Sequence, residues 1–285
     1  MTTLDRARSR LMRLGRTHLK HFRQRAGSRM LGAHQRQAFF VTGVQRSGTN
    51  MVMDLFEADM GTEVFHETDS RAFDNYELRS FDVLSRLVDE TAAPITIFKA
   101  LCECQMVSEL LDRFVGSRSI WVYRHYEKVA ASHVKKWTQM PDTIRRLVED
   151  DGDTHGWRGR GMSTDTLAVL RACYHDDLNN ESACALFWYL RNQLYFDQAL
   201  DRDPRVALLN YEQLLADPHD YTAALFEFAG LSYKSGAGAI IKPQGVGNST
   251  DVLPIEPSVR KLCDAMVERL HAARHLRVDS LAGRC

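Results

Sequence analysis

The residues Gly43-Val44-Gln45-Arg46-Ser47-Gly48-Thr49-Asn50 set two glycines five positions apart, between the apolar run Phe39–Thr42 and an apolar helical pattern. A strand, a glycine-bounded loop and a helix, in that order, aim backbone N–H groups at a phosphate. The Walker A pattern G-x-x-x-x-G-K-[ST] needs Lys at position 49 and Ser or Thr at position 50. Thr49 and Asn50 stand there instead, and the loop's cation is internal, at Arg46. The ligand implied is a phosphate that wants its cation inside the loop and uses no Mg²⁺-binding hydroxyl. A second phosphate-type group lies at Arg124, which closes the apolar run Ile120–Tyr123. Its guanidinium is forked and permanently charged, and Ser132, two helical turns further on, adds a hydroxyl.

These groups need elements to bring them together. Ala38–Thr42, Ile95–Lys99, Ile120–Tyr123 and Val206–Asn210 read as strands, and Glu63–Phe65 as a further one. Continuous apolar runs without alternation indicate strands buried on both faces, hence a parallel sheet. Helical patterns cover Thr49–Asp59, Tyr76–Glu90, Gln105–Phe114, Glu127–Trp137 and Ala183–Leu200, with Trp188 and Tyr189 as core material. The β–α–β–α order predicts an α/β fold of three layers, a central mostly parallel sheet flanked by helices, similar to P-loop NTPases. Ligands in such sheets sit outside the carboxyl ends of the strands, where Gly43, Lys99 and Arg124 all fall. Lys99 is read as a strand-end residue in solvent. Residues 141–180 carry no strand pattern and are expected as an inserted loop or lid beside the site. Asp150, Asp151 and Asp153 within it read as a solvated turn, without the later Glu of an EF-hand loop.

The 285 residues have zero formal net charge, 44% hydrophobic and 26% charged, ordinary for a globular chain and unlike an electrostatic nucleic-acid binder. The charge is uneven: residues 1–37 hold ten Lys and Arg against the single acid Asp5. That arm is expected to be either solvated or a basic amphipathic segment resting on anionic lipid or an anionic acceptor. Residues 38–285 form the α/β domain. No apolar run approaches the roughly 20 residues of a membrane span, and no secretory segment stands out. The expected location is cytoplasmic, with peripheral membrane contact through the arm. The six cysteines fit no zinc spacing and are expected as free thiols.

The loop Arg46-Ser47-Gly48-Thr49-Asn50 resembles the 5′-phosphosulfate loop of sulfotransferases that use 3′-phosphoadenosine 5′-phosphosulfate (PAPS), where a cation precedes Ser-Gly-Thr. The segment Ser119–Trp137, with Arg124 and Ser132, resembles that family's 3′-phosphate segment. Weaker echoes are Val206–Pro218, similar to the family's late strand and turn, and Lys242–Asp251, at the place of its C-terminal donor-binding loop. From the latter, which lacks the family's tryptophan, Lys242, Gly247, Asn248 and Ser249 are carried over. The resemblance spans roughly residues 38–275. It implies PAPS as donor, adenosine 3′,5′-bisphosphate as product, no metal, and donor-binding residues Arg46, Ser47, Gly48, Thr49, Asn50, Arg124 and Ser132. Arg46 would reach the oxygen bridging phosphorus and sulfur.

Transfer to a hydroxyl requires a base. Two candidates are adjacent, His66 and Glu67, in the loop after the expected strand Glu63–Phe65. On extended backbone they point to opposite sides, so one of them faces the acceptor. The resemblance favours Glu67, because some members of the family place a glutamate here; an imidazole's ordinary pKa favours His66. The acceptor class is open among carbohydrate or glycolipid, small-molecule and protein-tyrosine hydroxyls, with carbohydrate or glycolipid favoured. The competing readings are a P-loop nucleotide kinase or NTPase, which the missing lysine opposes, and a non-catalytic P-loop-like binding domain.

Overall fold

The computed structural model describes residues 36–150, 156–233, 241, 252–273 and 275–276. Most of the basic arm, together with Lys242, Gly247, Asn248, Ser249 and Cys285, lies outside the described residues.

The chain runs β1 (Gln37–Gly43), α1 (Thr49–Glu57), β2 (Thr62–Phe65), β3 (Phe73–Asp74), β4 (Glu77–Leu78), α2 (Phe81–Glu90), β5 (Ile95–Lys99), α3 (Val107–Arg113), β6 (Arg118–Tyr123), α4 (Tyr126–Val134), α5 (Met140–Glu149), α6 (Thr164–Cys173), α7 (Asn180–Asp197), β7 (Val206–Asn210), α8 (Tyr211–Ala216), α9 (Pro218–Phe228) and α10 (Pro257–Ala272). Five strands form one sheet in the order β2-β5-β1-β6-β7, and every pairing in it is parallel. The expected fold class holds: a parallel sheet between two helical layers. Register fixes where the strands end. Val41 pairs with Lys99, Gly43 with Val122, and Tyr123 with Asn210, so the loops after β1, β5, β6 and β7 open at one edge.

The strands are apolar on both faces because both are covered. Phe40, Phe98 and Trp121 pack into a core with α2–α7 and α10. Their neighbours Phe39, Val41, Ile97, Ile120 and Val122 pack on the opposite face against Val52 and Phe56 of α1 and Leu225 and Phe226 of α9. Helix α7 is enclosed almost all round, with Leu186, Trp188, Leu190 and Leu194 buried and Tyr189 nearly so. Each such side chain contributes about 1.5–3 kcal/mol by leaving water.

The structure departs from the sequence expectation in three places. The expected helix Tyr76–Glu90 begins only at Phe81, because Asn75 and Tyr76 have φ of 48° and 69° and turn the short β3–β4 hairpin. The region around 141–180, expected as loop, contains α5 and α6. Ile144 and Leu147 of α5, and Leu170 of α6, are buried in the core beside α7, and spacing of three residues puts Ile144 and Leu147 on one helical face. Ser163 caps α6 by accepting from Thr166 N–H at 3.3 Å. Lys99, expected in solvent, has a side chain only 4% exposed. No helix among the described residues is long and apolar enough to cross a membrane, and Cys102, Cys104, Cys173, Cys184 and Cys263 are free thiols.

Candidate active site

The loop between β1 and α1 is shaped by contacts that leave no room for side chains. Gly43 has φ 125°, and a Cβ there would lie 2.2 Å from the Val122 carbonyl oxygen of β6. Gly48, at φ 95°, precedes α1, and its Cβ would lie 2.0 Å from the Tyr211 ring. Arg46, at φ 71°, occupies the left-handed region, which a residue with a Cβ reaches only at some cost. The loop is held from behind. Cys104 Sγ lies 3.3 Å from Gly43 N, and His133 Nε2 lies 3.0 Å from the Gln45 carbonyl oxygen. Burial pushes the His133 imidazole down to about pH 4, against the pull of the Gln45 carbonyl. The ring is therefore neutral near pH 7, and it is Nε2–H that donates.

The loop opens into a cavity of about 540 Å³. The carboxyl ends of the strands supply its walls as the register requires: Lys99 at the end of β5 and Leu101 beyond it, Arg124 after β6, and Tyr211 after β7. Gly48, Thr49, Asn50 and Arg46 come from the loop and α1, while Ser132, Lys136 and Trp137 come from α4 and the turn beyond it. Ser47 is fully buried beneath the loop and does not line the cavity.

Of the expected donor-binding residues within the described chain, all but Ser47 line this one cavity, in an arrangement the spacing did not specify. Arg46 Nε donates to Ser132 Oγ at 2.8 Å, joining the loop cation to the α4 hydroxyl. The Arg124 guanidinium lies 4.8 Å from the Tyr211 ring centroid, and its Nε is 3.5 Å from Glu212 Oε1. Asn50 accepts from Lys99 Nζ at 2.6 Å.

His66 and Glu67 separate. Because Phe65 pairs with Phe98, the chain leaves β2 beside Lys99. Glu67 lines the cavity, and its Oε2 is 2.8 Å from Lys99 Nζ. His66 does not line it; its Nε2 is 3.7 Å from Glu57 Oε2, and with Asp54 and Glu57 it forms a group whose polar atoms lie within 4.8 Å of one another. Tyr211, Lys136 and Trp137 line the cavity without having been singled out by sequence pattern, and Lys99, placed at a strand end by the sequence but read as a residue in solvent, lines it too. For Lys99 the available signal was its place at the end of a buried strand, level with Val41 just before the loop.

Polar atoms at the loop and the cavity wall include some without a hydrogen bond, Gln45 Oε1 among them. Ser47 Oγ and Arg124 Nε are both shielded from solvent without a hydrogen bond among the described residues. Buried hydroxyls and guanidinium N–H groups are nearly always satisfied. Arg124 lines the cavity, so an anionic ligand there could accept from its Nε; Ser47 is covered, and the places a Cβ would take at Gly43 and Gly48 are filled by the Val122 carbonyl and the Tyr211 ring.

A family model described as "Sulfotransferase domain" matches residues 36–242. No curated protein matches the chain. Similar solved structures include the sulfotransferase domain from the curacin biosynthetic pathway, at 12% identity and TM-score 0.47, covering 80% of this chain and 96% of that one. The sulfotransferase from Alicyclobacillus acidocaldarius is 16% identical with TM-score 0.48, covering 83% of this chain and 95% of that one. Mouse sulfotransferase SULT7A1, solved complexed with PAP, is 16% identical with TM-score 0.41, covering 72% of this chain and 63% of that one.

Proposed function

The chain belongs to the sulfotransferase domain family, and from that premise we propose that it moves the sulfuryl group of PAPS to a hydroxyl acceptor, with adenosine 3′,5′-bisphosphate as the other product. The observation that carries this reading is a single cavity that joins a phosphate loop, cationic at Arg46 and without the Walker lysine, to Arg124 and Ser132. The donor, when bound, supplies the sulfur electrophile and its phosphate leaving group. Thr49, Asn50 and the loop N–H groups hold the 5′ end, and Arg124 with Ser132 holds the 3′-phosphate. Arg46 and the N-terminus of α1, worth about half a positive charge, offset charge growing on the leaving oxygen.

Glu67 takes the acceptor's proton. Its place in the cavity wall supports it over His66, which is turned toward Glu57. Lys99 orients the carboxylate through the 2.8 Å contact and ties it to Asn50 at the start of α1. A positioned base contributes about 10²–10⁴-fold. Carbohydrate or glycolipid hydroxyls are the favoured acceptors. Residues 1–37, with ten cations against one acid, are assigned to a peripheral arm for an anionic membrane surface or acceptor.

The test is thermal stability with candidate ligands. Adenosine 3′,5′-bisphosphate at a hundred times its Kd should stabilise the protein by about 2.7 kcal/mol, and ATP with Mg²⁺ should do far less. Equal shifts with ADP and ATP, or hydrolysis of ATP, would overturn the donor assignment in favour of a kinase or NTPase.

A further inference from the structure

A second cavity, of about 240 Å³, adjoins the first and shares Lys136 and Trp137 with it. Its wall is aromatic. Trp137, Trp157 and Phe187 line it, and His133 bridges them from behind, 4.6 Å from the Trp137 ring and 6.3 Å from Phe187. Trp157 and Phe187 meet edge to face at 6.1 Å. Arg191, wholly buried, holds this wall in place: it donates to the Trp157 carbonyl at 2.9 Å and to the Leu101 carbonyl at 3.0 Å. Leu101 lines the first cavity, so one buried guanidinium ties the two together.

The cavity is also cationic. Arg158 and Lys136 line it, and among the described residues neither has a carboxylate partner. Arg158 lies over Trp157 at 4.7 Å, and Lys136 Nζ is 5.7 Å from the Trp137 ring. Burial, together with the nearby charge of Arg191, holds the Arg158 guanidinium below its usual range. Positive charge is thus concentrated here at a cost that an incoming anion would offset. Thr138, Gln139 and Thr143 add hydrogen-bonding groups at the edge. At about 240 Å³ the cavity has room for one substituted ring.

We propose that this cavity is the acceptor subsite, and that it selects a single-ring hydroxyl compound carrying a negative charge, the ring lying against Trp137 and Trp157 and the anion meeting Arg158 and Lys136. This rests on the sulfuryl-transfer reading and narrows its acceptor. Aromatic hydroxy acids and uronic sugars share that chemistry: both offer a flat or CH-lined ring face to tryptophan and a carboxylate to a guanidinium.

Calorimetric titration of the full chain with matched pairs, in the presence and absence of adenosine 3′,5′-bisphosphate, tests this. One pair is 4-hydroxybenzoate and its methyl ester; the other is methyl glucuronide and methyl glucoside. In one pair the acid should bind about tenfold tighter than its neutral partner, the scale of one charged hydrogen bond. Arg158→Gln should reduce that preference to about threefold or less while leaving the neutral partner's affinity and that of adenosine 3′,5′-bisphosphate unchanged. Lys136→Gln should reduce the acid preference to a smaller degree, because Lys136 is exposed. The pair that responds identifies aromatic or sugar acid as the source. Equal binding of acid and neutral compounds in both pairs overturns the proposal, as does an Arg158→Gln protein that weakens acid and neutral ligand alike. Acid-selective binding without labelled-sulfate transfer leaves the subsite standing and removes the sulfuryl-transfer reading instead.

Discussion

The two sides of the main cavity are built by different means. The loop side, Gly43–Asn50, is shaped by backbone: left-handed dihedrals at Arg46 and Gly48, φ 125° at Gly43, and a carbonyl of β6 that forbids any side chain at Gly43. The carboxylate side is made of side chains: Glu67 from the loop after β2 and Lys99 from the end of β5, in contact at 2.8 Å. Each side also leans on a buried titratable group. His133 supports the loop through the Gln45 carbonyl, and Glu103 accepts from Leu78 N–H at 2.7 Å to hold the hairpin that follows Glu67. A backbone-made surface fails sterically and all at once. A side-chain-made surface can lose its chemistry and keep its shape.

That contrast is broken most forcefully at Gly43. Gly43→Ala places a methyl 2.2 Å from the Val122 oxygen, so β1 and β6 must separate. We expect destabilisation of about 3 kcal/mol or more and loss of adenosine 3′,5′-bisphosphate binding, read by denaturant unfolding and calorimetry. A stable, ligand-competent variant would show that the loop is not sterically locked. On the other side, Glu67→Gln retains shape and hydrogen bonding. Turnover should fall about 10²-fold or more with bisphosphate affinity near wild type, while His66→Gln stays within about threefold of wild type. The reverse pattern in a labelled-sulfate assay would move the base to His66.

The two supporting groups should give opposite pH slopes. Burial lowers His133 to about 4 from 6.5, so between those values the unfolded chain holds more protons and stability rises with pH. Burial raises Glu103 to about 7 from 4.5, opposed by the Leu78 N–H bond, so there the folded chain holds more protons and stability falls with pH. Each shift is worth roughly 3 kcal/mol over its window, and in the wild type they largely cancel. Glu103→Gln should therefore unmask a stability that climbs from pH 4 to 6.5, and His133→Gln one that declines from pH 4.5 to 7. Urea unfolding across this range decides; parallel slopes in the two variants would refute the account.

The smallest effects belong to single ligand contacts. Arg124→Ala should weaken adenosine 3′,5′-bisphosphate by about 2 kcal/mol and Ser132→Ala by about 1 kcal/mol, with 5′-AMP much less affected. Equal losses for both nucleotides would mean that Arg124 does not read the 3′-phosphate.

The strands Ile95–Lys99 and Val206–Asn210 were legible to the residue, because a run buried on both faces has few other readings. The loop was legible because glycine spacing between strand and helix is a local requirement of the backbone. The hairpin at Phe73–Leu78 was not, since Tyr76 carries a helical pattern onward while its own backbone turns left-handed. Nor were α5 and α6, whose apolar residues become a helical signal only where α7 offers a surface to cover.

The sequence alone determined the parallel sheet, the phosphate loop with its internal cation, and the placement of Gly43, Lys99 and Arg124 at strand ends, because each follows from rules acting over a few residues. Tertiary structure decided the rest. It buried Lys99 between Asn50 and Glu67, joined Arg46 to Ser132, turned His66 toward Glu57, and set Trp137 and Trp157 around a second cavity. Those contacts join residues up to 86 positions apart. What fixes them is strand register and helix packing, which no local pattern encodes.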